Sequence, residues 1–347
     1  MARTLESWLQ GVWYENKAGA ALLAPLATLF RAVAQLRRMS YQKGWRRRHR
    51  AKVPVVVVGN LSVGGTGKSP LVALLASRLR SGGLNPGILT RGHGAHVSQP
   101  TLVAADSTAS LVGDEPVMLA TSTGVPVVVS PDRARGAEAL EALGVDVILC
   151  DDGLQHYALE RDLEIAVIDG TRGLGNGRLL PAGPLREDET RLATVDWVVV
   201  NGGIESADKS AWQGRQGTLV MQLAPEAARL VADGRVWRSI ESFRGEAVHA
   251  VAGIGNPARF FAVLRAAGLE LIEHPLPDHH AYQPGDFRFG DDRPILMTAK
   301  DAVKCRGFAD SRLWEIPTVV RLLPDGAAAL VEAIQKLCRA APASEPA

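Results

Sequence analysis

Apolar runs and helical spacings alternate along most of this chain. The first run, Val53-Pro54-Val55-Val56-Val57-Val58, is β-branched with no polar alternation, the pattern of a strand covered on both faces of a parallel sheet. A glycine-rich segment follows, and then Leu71, Leu74, Leu75 and Leu79 recur at helical spacing over 70–79. Further strand-like runs lie at 87–90, 126–130, 145–150, 164–168 and 197–200, with helix-like stretches such as 133–143 between several of them. Strands alternating with helices predict an α/β fold built on a doubly wound, mostly parallel sheet.

The rhythm changes near residue 217. Short strand-like runs at 218–223, 228–232 and 236–240 surround Asp233-Gly234, a strong hairpin signal. A new α/β pattern then begins at 247–252. Its helix starts at Pro257, well placed for a first turn, and continues through Phe260, Phe261 and Leu264. Strands at 295–298 and 318–321 and a last helix over 327–338 complete it, and the Pro/Ala-rich tail is expected to fray. There are no internal repeats.

Composition adds bounds. The chain has 347 residues, 46% hydrophobic and 22% charged, enough for two cores of moderate size. Lys and Arg exceed Asp and Glu by two (39 against 37), which gives no ground for a nucleic-acid partner. Cys150, Cys305 and Cys338 are far apart and odd in number, so buried thiols in a reducing compartment are expected rather than disulfides or a metal cluster. Near the N-terminus an apolar run at 18–30 ends in a small-residue stretch, but Glu6 and Glu15 precede it and Arg37, Arg38, Lys43, Arg46, Arg47 and Arg48 follow. That charge order opposes export and favours the cytoplasmic side. The apolar run, with Pro25 inside it, is too short to span a bilayer.

The chemistry concentrates at Ser62-Val63-Gly64-Gly65-Thr66-Gly67-Lys68-Ser69, between a buried strand and a helix. A loop there aims backbone N–H groups and a helix N-terminus at an anion. Lys68 can reach β- and γ-phosphates, and the Ser69 hydroxyl suits Mg²⁺. These residues predict ATP and Mg²⁺ as cofactors, although the strict pattern has Gly where this chain has Ser62. A phosphate loop needs an acid at the end of a nearby strand. Two strands compete: one ends in Asp151-Asp152, the other in Asp169. The paired acids are favoured because adjacent carboxylates after an apolar strand repel unless a cation lies between them. Asp169, beside Gly170, also fits a turn or cap. By residue type alone, Asp114 and Glu115 read as first-turn acids of a helix, and His279 and His280 as a solvated loop.

Together the motifs resemble the tetraacyldisaccharide 4'-kinase family. They are Gly59-Asn60-Leu61-Ser62-Val63-Gly64-Gly65-Thr66-Gly67-Lys68-Ser69-Pro70, Thr90-Arg91-Gly92-His93-Gly94, Gly113-Asp114-Glu115-Pro116, Asp151-Asp152-Gly153-Leu154-Gln155-His156, Leu180-Pro181-Ala182-Gly183-Pro184-Leu185-Arg186-Glu187, Gly253-Ile254-Gly255-Asn256-Pro257, Pro277-Asp278-His279 and Met297-Thr298-Ala299-Lys300-Asp301. The family also lacks the first loop glycine, so Ser62 is no anomaly, and Ser69 for the commoner Thr is chemically equivalent. The resemblance implies transfer of the ATP γ-phosphoryl to the 4'-hydroxyl of a tetraacylated glucosamine disaccharide 1-phosphate in lipid A biosynthesis. It implies Asp114 as general base oriented by His279, Lys68 at the moving phosphoryl group, and Ser69, Asp151, Asp152 and Glu115 around the metal. Arg91, Arg133, His156 and Arg186 would line the substrate site.

A membrane-embedded glycolipid substrate implies an enzyme at the cytoplasmic face of the inner membrane, held there peripherally on its anionic lipid. Leu22, Leu23, Leu26, Leu29, Phe30 and Val33 can form one apolar helix face ahead of the arginine-rich stretch, which suits an interfacial helix; packing on the protein's own sheet is the competing expectation. No obligate protein partner is predicted. The resulting division is a membrane-associating helical segment (1–52), a P-loop kinase domain (53–217), a β-hairpin linker (218–243) and a smaller α/β domain (244–347). The alternative is a regulatory GTPase or ATPase acting through partners. In Thr298-Ala299-Lys300-Asp301, however, Lys and Asp are adjacent, the wrong register for guanine selection.

Overall fold

A computed structural model describes residues 2–15, 18–92, 94–104, 107–202, 217–278, 280–323 and 326–340. The expected tail at 341–347 lies outside the described residues. Two helices, α1 (Ala2–Tyr14) and α2 (Ala20–Gln42), precede the first sheet. The chain continues through β1 (Val55–Gly59), α3 (Lys68–Ser81), β2 (Pro86–Thr90), β3 (Thr101–Leu102), α4 (Ala109–Val112), α5 (Asp114–Thr123), β4 (Val127–Val129), α6 (Arg133–Glu141), β5 (Val147–Asp151), β6 (Leu163–Asp169) and β7 (Trp197–Asn201). Then come β8 (Thr218–Pro225), β9 (Ala228–Leu230), β10 (Trp237–Arg238), β11 (Ala247–Ala252), α7 (Pro257–Ala266), β12 (Glu270–Pro275), β13 (Ile295–Thr298), α8 (Ala299–Cys305), β14 (Leu313–Ile316), β15 (Thr318–Leu323) and α9 (Gly326–Ala340).

Nine strands form the first sheet in the order β15-β8-β7-β6-β1-β5-β2-β4-β3. From β8 to β4 every pairing is parallel, and only the edge strands β15 and β3 run antiparallel. Central β1, flanked by β5 and β6, is buried along its whole length, as its unbroken β-branched run predicts. The strand order reverses at β1, so the loop after it opens at a topological switch point, where α/β sheets place their ligands. Leu71, Leu75 and Leu79 of α3 are fully buried against one face of this sheet.

The second sheet has the order β10-β9-β14-β13-β11-β12. Its four strands from β14 to β12 are parallel, and the hairpin β9–β10 around Asp233-Gly234 is antiparallel. The expected boundaries need correction. β8, assigned to a linker, is a full strand of the first sheet beside β7. β15 and α9, assigned to the smaller domain, return to the first sheet, with β15 paired to β8 from Thr318↔Pro225 to Leu323↔Val220. The reason is burial. Leu330 and Ile334 of α9 are fully enclosed in the same apolar cluster as α3, a partner that local sequence periodicity cannot name. Cys150, Cys305 and Cys338 are free thiols.

Because α9 completes the P-loop unit's core, Leu330→Ala should cost about 2–5 kcal/mol, the range for a buried leucine truncation. Nucleotide protection against thermal melting should then report the loss; a melt unchanged from the parent would contradict this placement of α9.

Candidate active site

The loop between β1 and α3 has the shape its residues require. Gly67, the residue before α3, sits at φ 94°, and a Cβ there would fall 2.3 Å from Asn201 Nδ2, so only glycine fits. Asn201, at the end of β7, donates from Nδ2 to the Thr66 carbonyl at 2.8 Å, bracing the loop from below. Ser62 is buried and forms an antiparallel bridge with Leu185. Val63 N donates to the Pro184 carbonyl at 2.9 Å and Arg186 N to that of Leu61 at 2.6 Å. The loop thus gains a strand-like edge where the strict motif has glycine. Val63, Gly64 and Gly65 lead from that edge to Thr66.

Two candidate metal ligands meet directly. Ser69 Oγ donates to Asp151 Oδ2 at 2.8 Å, while Asp151 Oδ1, on a residue 1% exposed, has no hydrogen-bond partner among the described residues. Burial, reinforced by Glu115, pushes the Asp151 carboxyl up to about 7, against the pull of Lys68 and the Ser69 hydroxyl. Asp152 behaves oppositely. Burial alone would raise it, but Lys68 and Arg186 outweigh that and hold it below the usual carboxylate range. Its φ of 52°, a turn that Asp tolerates, places it 3.7 Å from Lys68 Nζ and 3.0 Å from Arg186 Nη1.

Three of the four candidate substrate residues, Arg133, Arg186 and His156, act on this carboxylate pair, and Arg91 lies beside two of them. Arg133, first residue of α6, is 4% exposed and donates from Nη2 to the Asp151 carbonyl at 2.8 Å. Its Nε and Nη1 are buried without hydrogen-bond partners among the described residues, and burial lowers its pKa. Burial and Arg133 push the His156 imidazole down to about 3, so it is neutral near pH 7. Arg91 is exposed, close enough to act electrostatically on both Arg133 and His156. Asp169, the rival acid, accepts from Thr171 N at 3.0 Å and Arg172 N at 3.2 Å and pairs with Arg259 at 2.9 Å. It serves a turn and an inter-unit contact, with no bond to Ser69.

The second unit reaches over this site with cations that local sequence reasoning did not select. Asp114, 4% exposed at the start of α5, pairs with Lys304 Nζ at 3.1 Å, and Glu115 with Lys300 Nζ at 3.2 Å. Lys300 also meets Asp278 at 3.2 Å; burial disfavours its charge, yet the Glu115, Asp114 and Asp278 carboxylates raise its pKa overall. Thr298 caps α8 by accepting from Asp301 N at 3.2 Å, and the buried Asp301 carboxylate accepts from Thr298 Oγ1 at 2.7 Å and from Gly253 N at 3.0 Å, so the Lys-Asp pair, already in the wrong register for guanine, is occupied structurally. The spacing Lys300…Lys304 was the available signal: one helical turn puts both ammoniums on one face. His279, like His93, lies outside the described residues.

A phosphate loop at the switch point of a parallel sheet, its helix serine bonded to a strand-end aspartate, defines a P-loop NTPase fold. Comparison narrows the class. A family model described as LpxK, tetraacyldisaccharide-1-P 4'-kinase, matches residues 19–339. A tetraacyldisaccharide 4'-kinase from Alkalilimnicola ehrlichii is 53% identical over 307 residues, 88% of this chain and 89% of the relative. One from Stenotrophomonas maltophilia is 45% identical over 326 residues, 94% and 96% of the two chains. The crystal structure of the "apo" form of LpxK from Aquifex aeolicus in complex with ATP aligns with TM-score 0.75 and 29% identity, covering 92% of this chain and 99% of that one. The chain belongs to the tetraacyldisaccharide 4'-kinase family.

The Lys304–Asp114 contact joins the two units across the site. Lys304→Met should destabilise the fold by roughly 1.5–3 kcal/mol, the range for a lost charge-assisted hydrogen bond. In a denaturation cycle with Asp114→Asn the double variant should lose less than the sum of the singles; strict additivity would argue against a direct pair.

Proposed function

We propose that this chain transfers the γ-phosphoryl of ATP to the 4'-hydroxyl of a tetraacylated glucosamine disaccharide 1-phosphate. The observation that carries the reading is the phosphate loop whose Ser69 bonds to buried Asp151, in a chain whose family is named for that reaction. Residues 62–69 cradle the nucleotide phosphates through backbone N–H groups. Lys68 holds charge at the γ-phosphoryl group as it moves. Asp114 accepts the proton of the attacking hydroxyl, oriented by His279 from the second unit. Arg133, Arg91 and Arg186 meet anionic groups of the substrates, and neutral His156 offers a hydrogen bond. If His279 orients Asp114, as the family resemblance implies, turnover would depend on how the units close.

The residues fit Mg²⁺. The partnerless Asp151 Oδ1, beside the Ser69 hydroxyl, is an oxygen donor that a hard cation would satisfy. Among the described residues no group of three or more His, Cys, Asp or Glu could hold a metal. That agrees with an ion that takes one or two protein oxygens and completes its shell with phosphate oxygens and water. Ser69 and Asp151 would hold it directly, with Asp152 and Glu115 nearby; bound there, it neutralises charge on the β- and γ-phosphates.

We further propose that α2 lies in the membrane interface at the cytoplasmic face. The helix has 23 residues, Ala20–Gln42, so it extends well past the 18–30 apolar run and, contrary to the length expected from that run, is long and apolar enough to cross a bilayer. One face is nevertheless tied to the P-loop unit: Phe30 rests on its core, Arg31 pairs with Asp188 at 3.0 Å, and Arg38 donates to Thr194 at 3.4 Å. The opposite face leaves Leu22 at 82% exposure, Leu26 at 56%, Leu29 at 63% and Val33 at 59%. Phe30 and the half-buried Leu23 therefore belong to the inner face, a correction to the single apolar face expected from sequence. Exposed Trp45, next to Arg46, Arg47 and Arg48, suits the headgroup layer.

The reading is tested by incubating the protein with ATP and Mg²⁺, with and without the disaccharide lipid, and weighing the lipid product. A gain of one phosphate is expected; ADP formed without a phosphorylated lipid would overturn it. Folded Lys68→Ala and Asp114→Ala variants should lose nearly all transfer, and retained activity in either would remove that residue's role.

Leu26→Glu with Leu29→Glu should release the protein from anionic vesicles, each change removing apolar burial worth roughly 1.5–3 kcal/mol. Binding should also weaken with salt, which screens the arginine cluster over about 8–10 Å. Flotation combined with a thermal melt checks this: a variant that melts early yet still floats would contradict the interfacial placement.

A further inference from the structure

Arg172 lies outside every motif assigned a role above. It follows β6 in the turn that Asp169 closes by accepting from Arg172 N, and its side chain runs back to the phosphate loop. A Cβ added to Gly64 would stand 3.9 Å from Arg172 Nη1. Among the described residues no ion pair of this guanidinium with a carboxylate is found, and the nearby Asp169 carboxylate is paired with Arg259 at 2.9 Å instead. The Arg172 Cζ lies 5.2 Å from the centroid of the ring of Tyr14, the last residue of α1, inside cation–π range. A half-exposed cation, held by a ring and aimed beside a glycine of a phosphate loop, has unused capacity for an anion.

The segment that carries Arg172 is fixed at both ends. On one side, Pro184, Leu185 and Arg186 pair with the loop edge at Leu61, Ser62 and Val63. On the other side, Asn176 N donates to the Trp13 carbonyl at 2.8 Å, Asn176 Nδ2 to that of Val12 at 3.2 Å, and Trp13 Nε1 to that of Pro181 at 2.9 Å. At Gly175, φ 63°, a Cβ would lie 2.8 Å from the Trp13 carbonyl oxygen, so α1 approaches this segment as closely as backbone allows. The N-terminal arm thus forms part of the wall behind the phosphate loop.

We propose that Arg172 is a second cation of the nucleotide site, contacting the terminal phosphates of a bound nucleoside triphosphate, and that Tyr14 positions it from α1. This rests on the reading that residues 62–69 bind ATP. A guanidinium presents its donors in a planar fork that matches phosphate oxygens, and an arginine at the terminal phosphoryl group stabilises charge that Lys68 alone would carry. During transfer the γ-phosphorus–oxygen bond to ADP breaks as the bond to the sugar oxygen forms, and the hydroxyl proton goes to Asp114. Arg172 gains and loses no proton in that step.

The test measures nucleotide binding without lipid, using a non-hydrolysable ATP analogue and ADP. Arg172→Ala should weaken the triphosphate analogue about ten- to a hundredfold, the range of one charge-assisted contact, with ADP affected much less; Arg172→Lys should recover part of the loss. Tyr14→Leu should shift the same ratio in the same direction, whereas Tyr14→Phe, which keeps the ring, should bind as the parent does. Added guanidinium ion should restore part of the lost turnover in Arg172→Ala only. A folded Arg172→Ala or Arg172→Lys protein with the parental ratio of analogue to ADP affinity overturns the proposal. Should Arg172→Ala fail to fold, the lysine variant decides. If the parent binds the analogue but phosphorylates no lipid, the functional reading fails while this contact stands.

Discussion

The hydrogen bond from Ser69 to buried Asp151 is the contact on which the site depends. It ties the first turn of α3 to the end of β5, and so fixes the phosphate loop against the neighbouring strand of the sheet. Asp151 is enclosed, raised toward neutrality by its burial, and satisfied on one oxygen only. A carboxylate in that condition is costly unless a cation joins it. That partnerless buried oxygen is the observation on which the proposed Mg²⁺ site rests. Lys68, Arg133 and Arg186 gather around the adjacent Asp152 under the same field.

Around this contact, three parts of the chain close the site from different directions. Asn201 at the end of β7 braces Thr66, and the segment after β6 pairs with Ser62. The second sheet brings α8 over α5, so that Lys300 and Lys304 neutralise Glu115 and Asp114. Arg259 of α7 reaches back to Asp169 and to the Asn201 carbonyl at 2.9 Å. These inter-unit contacts are few and charged, the character of an interface that can shift with ligand. The loop Gly253-Ile254-Gly255 comes close as well: a Cβ at Gly255 would be 3.3 Å from Gly65 N. The phosphate loop, Asp114 and Gly255 thus lie where the surfaces of the two units converge.

The N-terminal arm serves two surfaces at once. The outer stripe of α2 is apolar and exposed, while its inner face and the end of α1 are bonded to the P-loop unit. An amphipathic helix with both faces specified cannot rotate freely on a membrane. Under the proposed interfacial placement, its attachment to the P-loop unit would fix how the active site faces the lipid surface.

Much of this was legible in the sequence because it is local. The unbroken β-branched run of β1, the glycine loop, Lys68 and Ser69 follow one another within a few residues, and backbone geometry converts that order directly into a phosphate cradle. The acids at the end of β5 are also local, since a strand delivers its last side chains to the sheet's ligand-binding edge. Other features depended on distance in the chain. Whether Asp151 or Asp169 faced Ser69 was settled by strand order, which puts β5 on one side of β1 and gives Asp169 to Arg259. That β15 and α9 rejoin the first sheet depended on which apolar face was left uncovered, and periodicity reports a face without naming its partner. The lysines on Asp114 and Glu115 come from nearly two hundred residues away in sequence. The sequence by itself determined the chemistry of the loop; only tertiary structure decided which charges meet it, because burial and Coulomb energy depend on separation in space.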